Sequence, residues 1–269
     1  MLRQLAQHWP EYVMEAAELA LFMISAGSFA MLFYHPDSPV SPALGDTMLT
    51  RFLMGLAMAA TAMAIIYSPM GQRSGAHFNP AITLAYLRLG KVERGDAFFY
   101  VLAQFAGGVA GMALVTAVAR NVVSHPAVNY AATLPGPAGP WLAFAAELAI
   151  SFGLILVVLH VSNDARIARY TPLFVGALVA VYVTFESPIS GMSMNPARTL
   201  GSAAPSRLWD FLWIYFTAPL LGMLLGAELY LRQRGAHAVR CAKLNHHNRA
   251  RCIFRCNYRM ARSAQGRGG

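Results

Sequence analysis

The tripeptide Asn-Pro-Ala occurs twice in this chain, as Asn79-Pro80-Ala81 and as Asn195-Pro196-Ala197, 116 positions apart. Each copy follows a Ser-Gly pair, Ser74-Gly75 in the first and Ser190-Gly191 in the second. Asn is a strong helix N-cap and Pro suits the first helical position, so each copy predicts a helix start with N–H groups left free. The stretches that follow, residues 80–89 and 196 to about 203, are too short to cross a bilayer, which takes about 20 residues. They are also too apolar for ordinary loops and read as re-entrant half-helices. Irregular backbone at membrane depth is tolerated only where it lines a cavity, so the two loops predict a wet passage.

Of 269 residues, 57% are hydrophobic and 12% charged. A soluble domain has about a quarter of its residues charged, so this is an integral membrane composition. Six apolar spans are predicted at 16–34, 48–67, 97–119, 141–161, 171–185 and 208–231. The first carries Glu18 and is expected to stay in the protein rather than be cleaved as a signal. Ala16-Ala17-Glu18-Leu19-Ala20 recurs as Ala145-Ala146-Glu147-Leu148-Ala149, and Gln104, Gly107 and Gly111 recur as Pro219, Gly222 and Gly226. Three spans per half is an odd number, so the second copy must be inverted relative to the first. The predicted fold class is an all-α membrane protein with six transmembrane helices, two re-entrant half-helices and an inverted 3+3 repeat. Residues 1–133 form the first repeat, 134–140 a Pro- and Gly-rich linker, 141–231 the second repeat and 232–269 a basic tail. The repeated glycines are expected to let helices pack closely in lipid.

Formal net charge is +9, but it belongs to the tail: from Arg232 onward there are ten Lys or Arg and no acidic residue. Arg88, Lys91, Arg94, Arg166 and Arg169 fall on the same side as the tail, which predicts cytoplasmic termini for a multi-pass protein of the cell membrane. All three cysteines lie in the tail, so the membrane body is expected to fold without a disulfide. Cys241, His246, His247, Cys252 and Cys256 lie within 16 residues, and zinc uses such ligands. Their spacing fits no standard finger, so the expectation is a disordered polybasic tail at anionic lipid, with no metal and no cofactor.

Arg198 follows the second Asn-Pro-Ala inside the membrane, where a charged residue is costly and functional. Glu18 and Glu147 are carboxylates at matching positions of the two halves. Their repeat-related placement suggests a scaffold duty. The competing reading is a secondary active transporter that uses them for proton coupling. A membrane enzyme or metal sensor built on the tail is a further rival.

On the paired Asn-Pro-Ala segments, the trailing Arg198 and the inverted repeat, the chain resembles the major intrinsic protein family, the aquaporins and aquaglyceroporins, over about residues 12–232. The resemblance implies a passive channel, not an enzyme, in a homotetramer with one pore per protomer. It also implies water and small neutral solutes as permeants, with the lipid bilayer and no nucleic acid as surroundings. Asn79 and Asn195 would offer amide donors at the midplane, and Arg198 would sit at the narrowest constriction. Carried over from the family, Ala59, Val183 and Met192 complete that filter, and Glu18 and Glu147 accept hydrogen bonds from the loops, which would satisfy orphan backbone N–H groups. His77, two residues before the first Asn, is expected to pack against its loop. Strict water channels of the family have a bulky aromatic and a His at the first two filter positions, where this chain has Ala59 and Val183. Typical glycerol facilitators have Asp after the arginine, and Pro with an aliphatic residue in the sixth span; here Thr199 and Tyr215-Phe216 stand there. A wider, more apolar filter is therefore expected.

Overall fold

A computed structural model describes residues 1–45 and 47–258 of the chain. The helices are α1 (Leu2–Tyr34), α2 (Ser41–Leu44), α3 (Met48–Tyr67), α4 (Pro69–Ser74), α5 (Pro80–Arg88), α6 (Arg94–Val123), α7 (Pro140–Asn163), α8 (Thr171–Phe185), α9 (Ser187–Ser190), α10 (Pro196–Ser206) and α11 (Leu212–Arg234). Six helical stretches are long and apolar enough to cross a membrane: α1, α3, α6, α7, α11, and α8 together with the 3-10 turn that leads into it (Ala168–Phe185). Their large apolar side chains on the outside, such as Leu21, Leu56, Leu114 and Leu225, suit contact with lipid.

Two ends differ from the hydropathy reading. Helix α1 starts at Leu2, well before the apolar run, because its polar turns find partners on the first half. His8 and Tyr12 bond Asp96 at 2.8 and 2.6 Å, and Arg73 bonds Glu11 at 3.0 Å. Helix α11 starts at Leu212 rather than 208, because Arg207 turns left-handed (φ 57°) to end α10 and the chain must reverse before the last span.

The packing follows the repeat. Helix α1 packs on α6 and α7 on α11, the matching pairs of the two halves, while α3 packs on α8 across the halves. Each half-helix lies on a span of the other half: α5 on α11 and α10 on α6. The repeated glycines make these approaches feasible. A Cβ at Gly107 or Gly111 would overlap the backbone of Ala16 or Ala20 on α1, and one at Gly222 the backbone of Leu148 on α7. Close backbone contact replaces the hydrophobic drive that helices lack in lipid.

The tail departs from expectation. Residues 235–258 fold back on the body, and Val239, Cys241, Ala242, Lys243, Leu244 and Phe254 are buried. Arg240 N–H donates to Asn163 Oδ1 at 2.7 Å, Arg255 N–H to the Lys91 carbonyl at 3.0 Å, and Tyr258 Oη to the Ser162 carbonyl at 2.5 Å. The Lys243 ammonium donates to the carbonyls of Gln72, Ala250 and Arg251 at 2.6, 3.3 and 2.6 Å. Burial lowers this ammonium from its ordinary value, and the three carbonyls keep it satisfied. Charge alone suggested a free tail, but four apolar residues among the basic ones (Val239, Leu244, Ile253 and Phe254) give it a face to bury. Residues 259–269 of the expected tail lie outside the described residues.

Candidate functional site

The two loops that precede the half-helices share one unusual backbone. Gly75, Ala76 and Phe78 have φ of 108°, 56° and 30°, and Gly191, Met192 and Met194 have 78°, 51° and 53°. Left-handed backbone at a residue with a Cβ costs about 1–2 kcal/mol, so something must hold these loops. Carboxylates do. In the second loop Glu147 accepts from Ser190 Oγ at 2.7 Å, Ser193 N at 2.6 Å and Met194 N at 2.7 Å. In the first loop the work is divided: among the described residues Glu18 accepts only from Ser74 Oγ at 2.7 Å, while Glu15 accepts from His77 N at 2.9 Å and Phe78 N at 2.7 Å. Glu15 was missed in the sequence, although it lies three residues before Glu18 and therefore on the same helix face. Gln104 Nε2 donates to Glu15 at 2.7 Å; its repeat counterpart Pro219 has no such donor, and there a single carboxylate serves the loop.

The symmetry extends to other side chains. Tyr100 Oη donates to the Ser74 carbonyl at 2.7 Å and Tyr215 Oη to the Ser190 carbonyl at 2.6 Å. His77 Nδ1 pairs with Thr83 Oγ1 at 3.1 Å, as Ser193 Oγ pairs with Thr199 Oγ1 at 2.5 Å. Thr199, the departure from the glycerol pattern, thus has a structural partner.

Asn79 Oδ1 caps α5 by accepting from Ala81 N at 2.9 Å, and Asn195 Oδ1 caps α10 by accepting from Ala197 N at 3.0 Å. Their amide nitrogens cross: Asn79 Nδ2 donates to the Met194 carbonyl at 2.8 Å and Asn195 Nδ2 to the Phe78 carbonyl at 2.7 Å. Pro80 and Pro196 fill the first helical positions, and Ala81 and Ala197 follow fully buried. The two half-helices therefore meet N-terminus to N-terminus. Each terminus carries roughly +0.5 elementary charge. An amide has two N–H groups, so each Asn keeps one beyond the crossing bond.

Both Asn residues line one cavity of about 300 Å³ together with Val183, Met192 and Arg198. The Arg198 Nη1 atom is buried and bonds no described protein atom. Ala59 is buried but does not line the cavity; Met54, Met58 and Ala62 do, four residues apart along α3. Ala59 thus stands apart from the other expected filter residues, Val183, Met192 and Arg198, which do line it. One residue of error turns a helical side chain by about 100°, enough to move it off a wall. Beside α3, α8 contributes Val175 and Val179, so this side of the cavity is apolar. The loops supply the polar edge.

Among the tail residues singled out as ligands, Cys241, His246, Cys252 and Cys256 come together and His247 does not.

A sequence profile of the major intrinsic protein family matches residues 5–230. Aquaporin NIP2-3 of Zea mays is 33% identical over 229 residues, covering 84% of this chain and 70% of that protein. Aquaporin NIP2-1 of Zea mays is 39% identical over 168 residues, 62% of this chain and 54% of that protein. The X-ray structure of the aquaglyceroporin from Plasmodium falciparum shares the fold with a TM-score of 0.66, over 83% of this chain and 95% of that one, at 23% identity. The chain belongs to the major intrinsic protein family, and it is a passive multi-pass membrane channel for water and small solutes, not an enzyme.

Proposed function

We infer that permeants cross in single file through the cavity that holds Asn79, Asn195 and Arg198, and that one of them is a neutral solute larger than water. The observation that carries this is the reciprocal amide crossing, which sets two positive helix ends against one narrow passage. A permeant oxygen there accepts from the remaining Asn N–H groups and turns its own protons outward, which interrupts the hydrogen-bonded chain a proton needs. The helix ends and the Arg198 guanidinium oppose cations electrostatically. The apolar wall of Met54, Met58, Val179 and Val183 suits a carbon-bearing face, and the loop side suits hydroxyls or amides. Glycerol fits both features, while urea, ammonia and a neutral metalloid hydroxide fit the hydrogen-bonding side. Proton-coupled transport is disfavoured because Glu18 and Glu147 already hold loop groups. The channel works in the cell membrane as a homotetramer with its termini in the cytoplasm. Stopped-flow light scattering on proteoliposomes, comparing water, glycerol, urea and ammonia, tests the reading. Water flux with none of the other three would overturn the wide-filter part, and uphill accumulation driven by an ion gradient would overturn passivity.

A further inference from the structure

Four ligand-type side chains converge outside the pore. Cys241 Sγ, a His246 ring nitrogen, Cys252 Sγ and Cys256 Sγ all lie within 4.8 Å of one another. They come from a segment with no regular helix, beyond the residues matched by the family profile. A tetrahedral zinc with Zn–S bonds of about 2.3 Å has sulfur–sulfur edges of about 3.8 Å. Cys241 Sγ and Cys252 Sγ are 3.6 Å apart, close to such an edge and far beyond a disulfide bond of about 2.0 Å. Cys256 Sγ lies 3.0 Å from His246 Nε2, which assigns that nitrogen as the ligand atom. His246 is further fixed by stacking on Tyr258, with centroids 4.5 Å apart. Three thiolates and one imidazole leave no open position, the pattern of a structural site, and thiolates favour zinc over harder cations. A divalent cation with three thiolates carries one net negative charge. Lys91 and Lys243 stand close enough to the sulfurs to interact with them electrostatically, and they offset it.

What lies between the ligands reaches the channel. Between Cys241 and His246, the Ala242 carbonyl accepts from His77 Nε2 at 2.8 Å, and Leu244 N–H donates to the Gly75 carbonyl at 3.1 Å. Leu244 is buried and lines the same cavity as Asn79 and Arg198. Between Cys252 and Cys256, Phe254 stacks on His77 with centroids 5.4 Å apart. The Phe254 ring would be 2.7 Å from a Cβ at Gly75, so the glycine and the aromatic ring fit one another. Each ligand pair therefore closes a short loop, and each loop presses one apolar side chain against the entry of the first Asn-Pro-Ala segment.

We propose that Cys241, His246, Cys252 and Cys256 bind one zinc-class divalent cation, and that the filled site holds residues 242–254 as a plug in the cytoplasmic mouth of the channel. Metal binding supplies folding energy to a segment that lacks a core of its own. Zinc thus favours the closed channel, and its removal releases Leu244 and Phe254. The plug half rests on the cavity being the conduit; the metal half does not.

The full-length protein, purified under reducing conditions with zinc chloride, is assayed for metal content and then substituted with cobalt(II). One zinc per chain is expected, with the thiolate-to-cobalt charge-transfer bands of a tetrahedral site. Both are lost in Cys252→Ser and in Cys256→Ser. These readouts need no flux, so a failed site is distinguishable from a failed pore. In proteoliposomes, a zinc chelator is expected to raise wild-type water permeability several-fold, and added zinc to return it. Cys252→Ser is expected to be fast with or without zinc. Leu244→Ala keeps the metal and its cobalt spectrum but is several-fold faster than wild type with zinc bound. Absence of stoichiometric zinc, or a Cys241–Cys252 disulfide in the reduced preparation, overturns the site. Stoichiometric zinc whose removal leaves permeability unchanged overturns the plug.

Discussion

Glu147 holds the second re-entrant loop alone, whereas Glu15 and Glu18 divide the first. Removing an acceptor and leaving a buried N–H unpaired costs about 1–3 kcal/mol for each orphaned group. Glu147→Ala orphans Ser193 N and Met194 N and frees the Ser190 hydroxyl, while Glu18→Ala frees only the Ser74 hydroxyl. The first change is therefore expected to lower the thermal unfolding midpoint in detergent markedly more than the second, and Glu15→Ala to resemble Glu147→Ala. Equal losses at Glu18 and Glu147 would show that the repeat carries the load symmetrically after all. Arg198 raises a different question, since its Nη1 atom bonds no described protein group. Little of the fold depends on that atom, so Arg198→Val is expected to keep the unfolding midpoint near wild type. Its cation or proton leak, read by a pH-sensitive dye inside liposomes, is expected to rise at least several-fold. Background leak with unchanged neutral flux would remove Arg198 from the passage.

At the scale of elements, the cavity wall on α3 is set by rotation of that helix, and this decides between neighbouring residues. Met58→Ala removes a cavity-lining side chain and is expected to raise glycerol flux relative to water flux, whereas Ala59→Ser leaves the ratio unchanged. Stopped-flow measurements on both variants check this, and the reverse ranking would restore Ala59 to the filter. On the neighbouring helix α8, Val183→His is expected to narrow the passage, sparing water and slowing the larger solute. The asymmetry between these positions also shows what the sequence could carry. Spans, half-helices and the inverted repeat were readable because hydropathy and capping are local signals, and Val183, Met192 and Arg198 do share one cavity with the two Asn residues. Ala59 enters the filter by carry-over from the family, and α4 (Pro69–Ser74) lies between it and Asn79. That extra turn breaks the helical phase, so spacing no longer fixes which face a residue on α3 presents. Glu15 escaped for a related reason. The repeat directs attention to positions that match, and Glu15 has no counterpart that bonds the second loop.

At the scale of the whole molecule, a tail rich in positive charge lies against a body that nets one negative charge over residues 1–231, which invites an electrostatic account of its docking. The contacts argue for a different cause. Arg255 pairs with Glu93 at 3.4 Å, but both side chains are exposed, and such pairs contribute about 0–1 kcal/mol and are screened by salt; Arg251 stands 4.0 Å from the buried Glu11, which Arg73 already bonds at 3.0 Å. Lys243 is different in kind. It is 1% exposed and donates to the carbonyls of Gln72, Ala250 and Arg251, tying the tail both to the body and to itself. Losing it removes three part-buried hydrogen bonds from a charged donor, a kind of bond that contributes about 1.5–3 kcal/mol. Lys243→Ala is therefore expected to free the tail, while high salt leaves it docked. Limited trypsin digestion reads the difference through cleavage at Arg249, Arg251 and Arg255. Wild type in high salt should be cut there about as slowly as in low salt, and Lys243→Ala many times faster, with the helical body intact in both. Rapid cutting of wild type on adding salt, with Lys243→Ala no faster, would mean that surface charge and not the buried ammonium holds the tail in place.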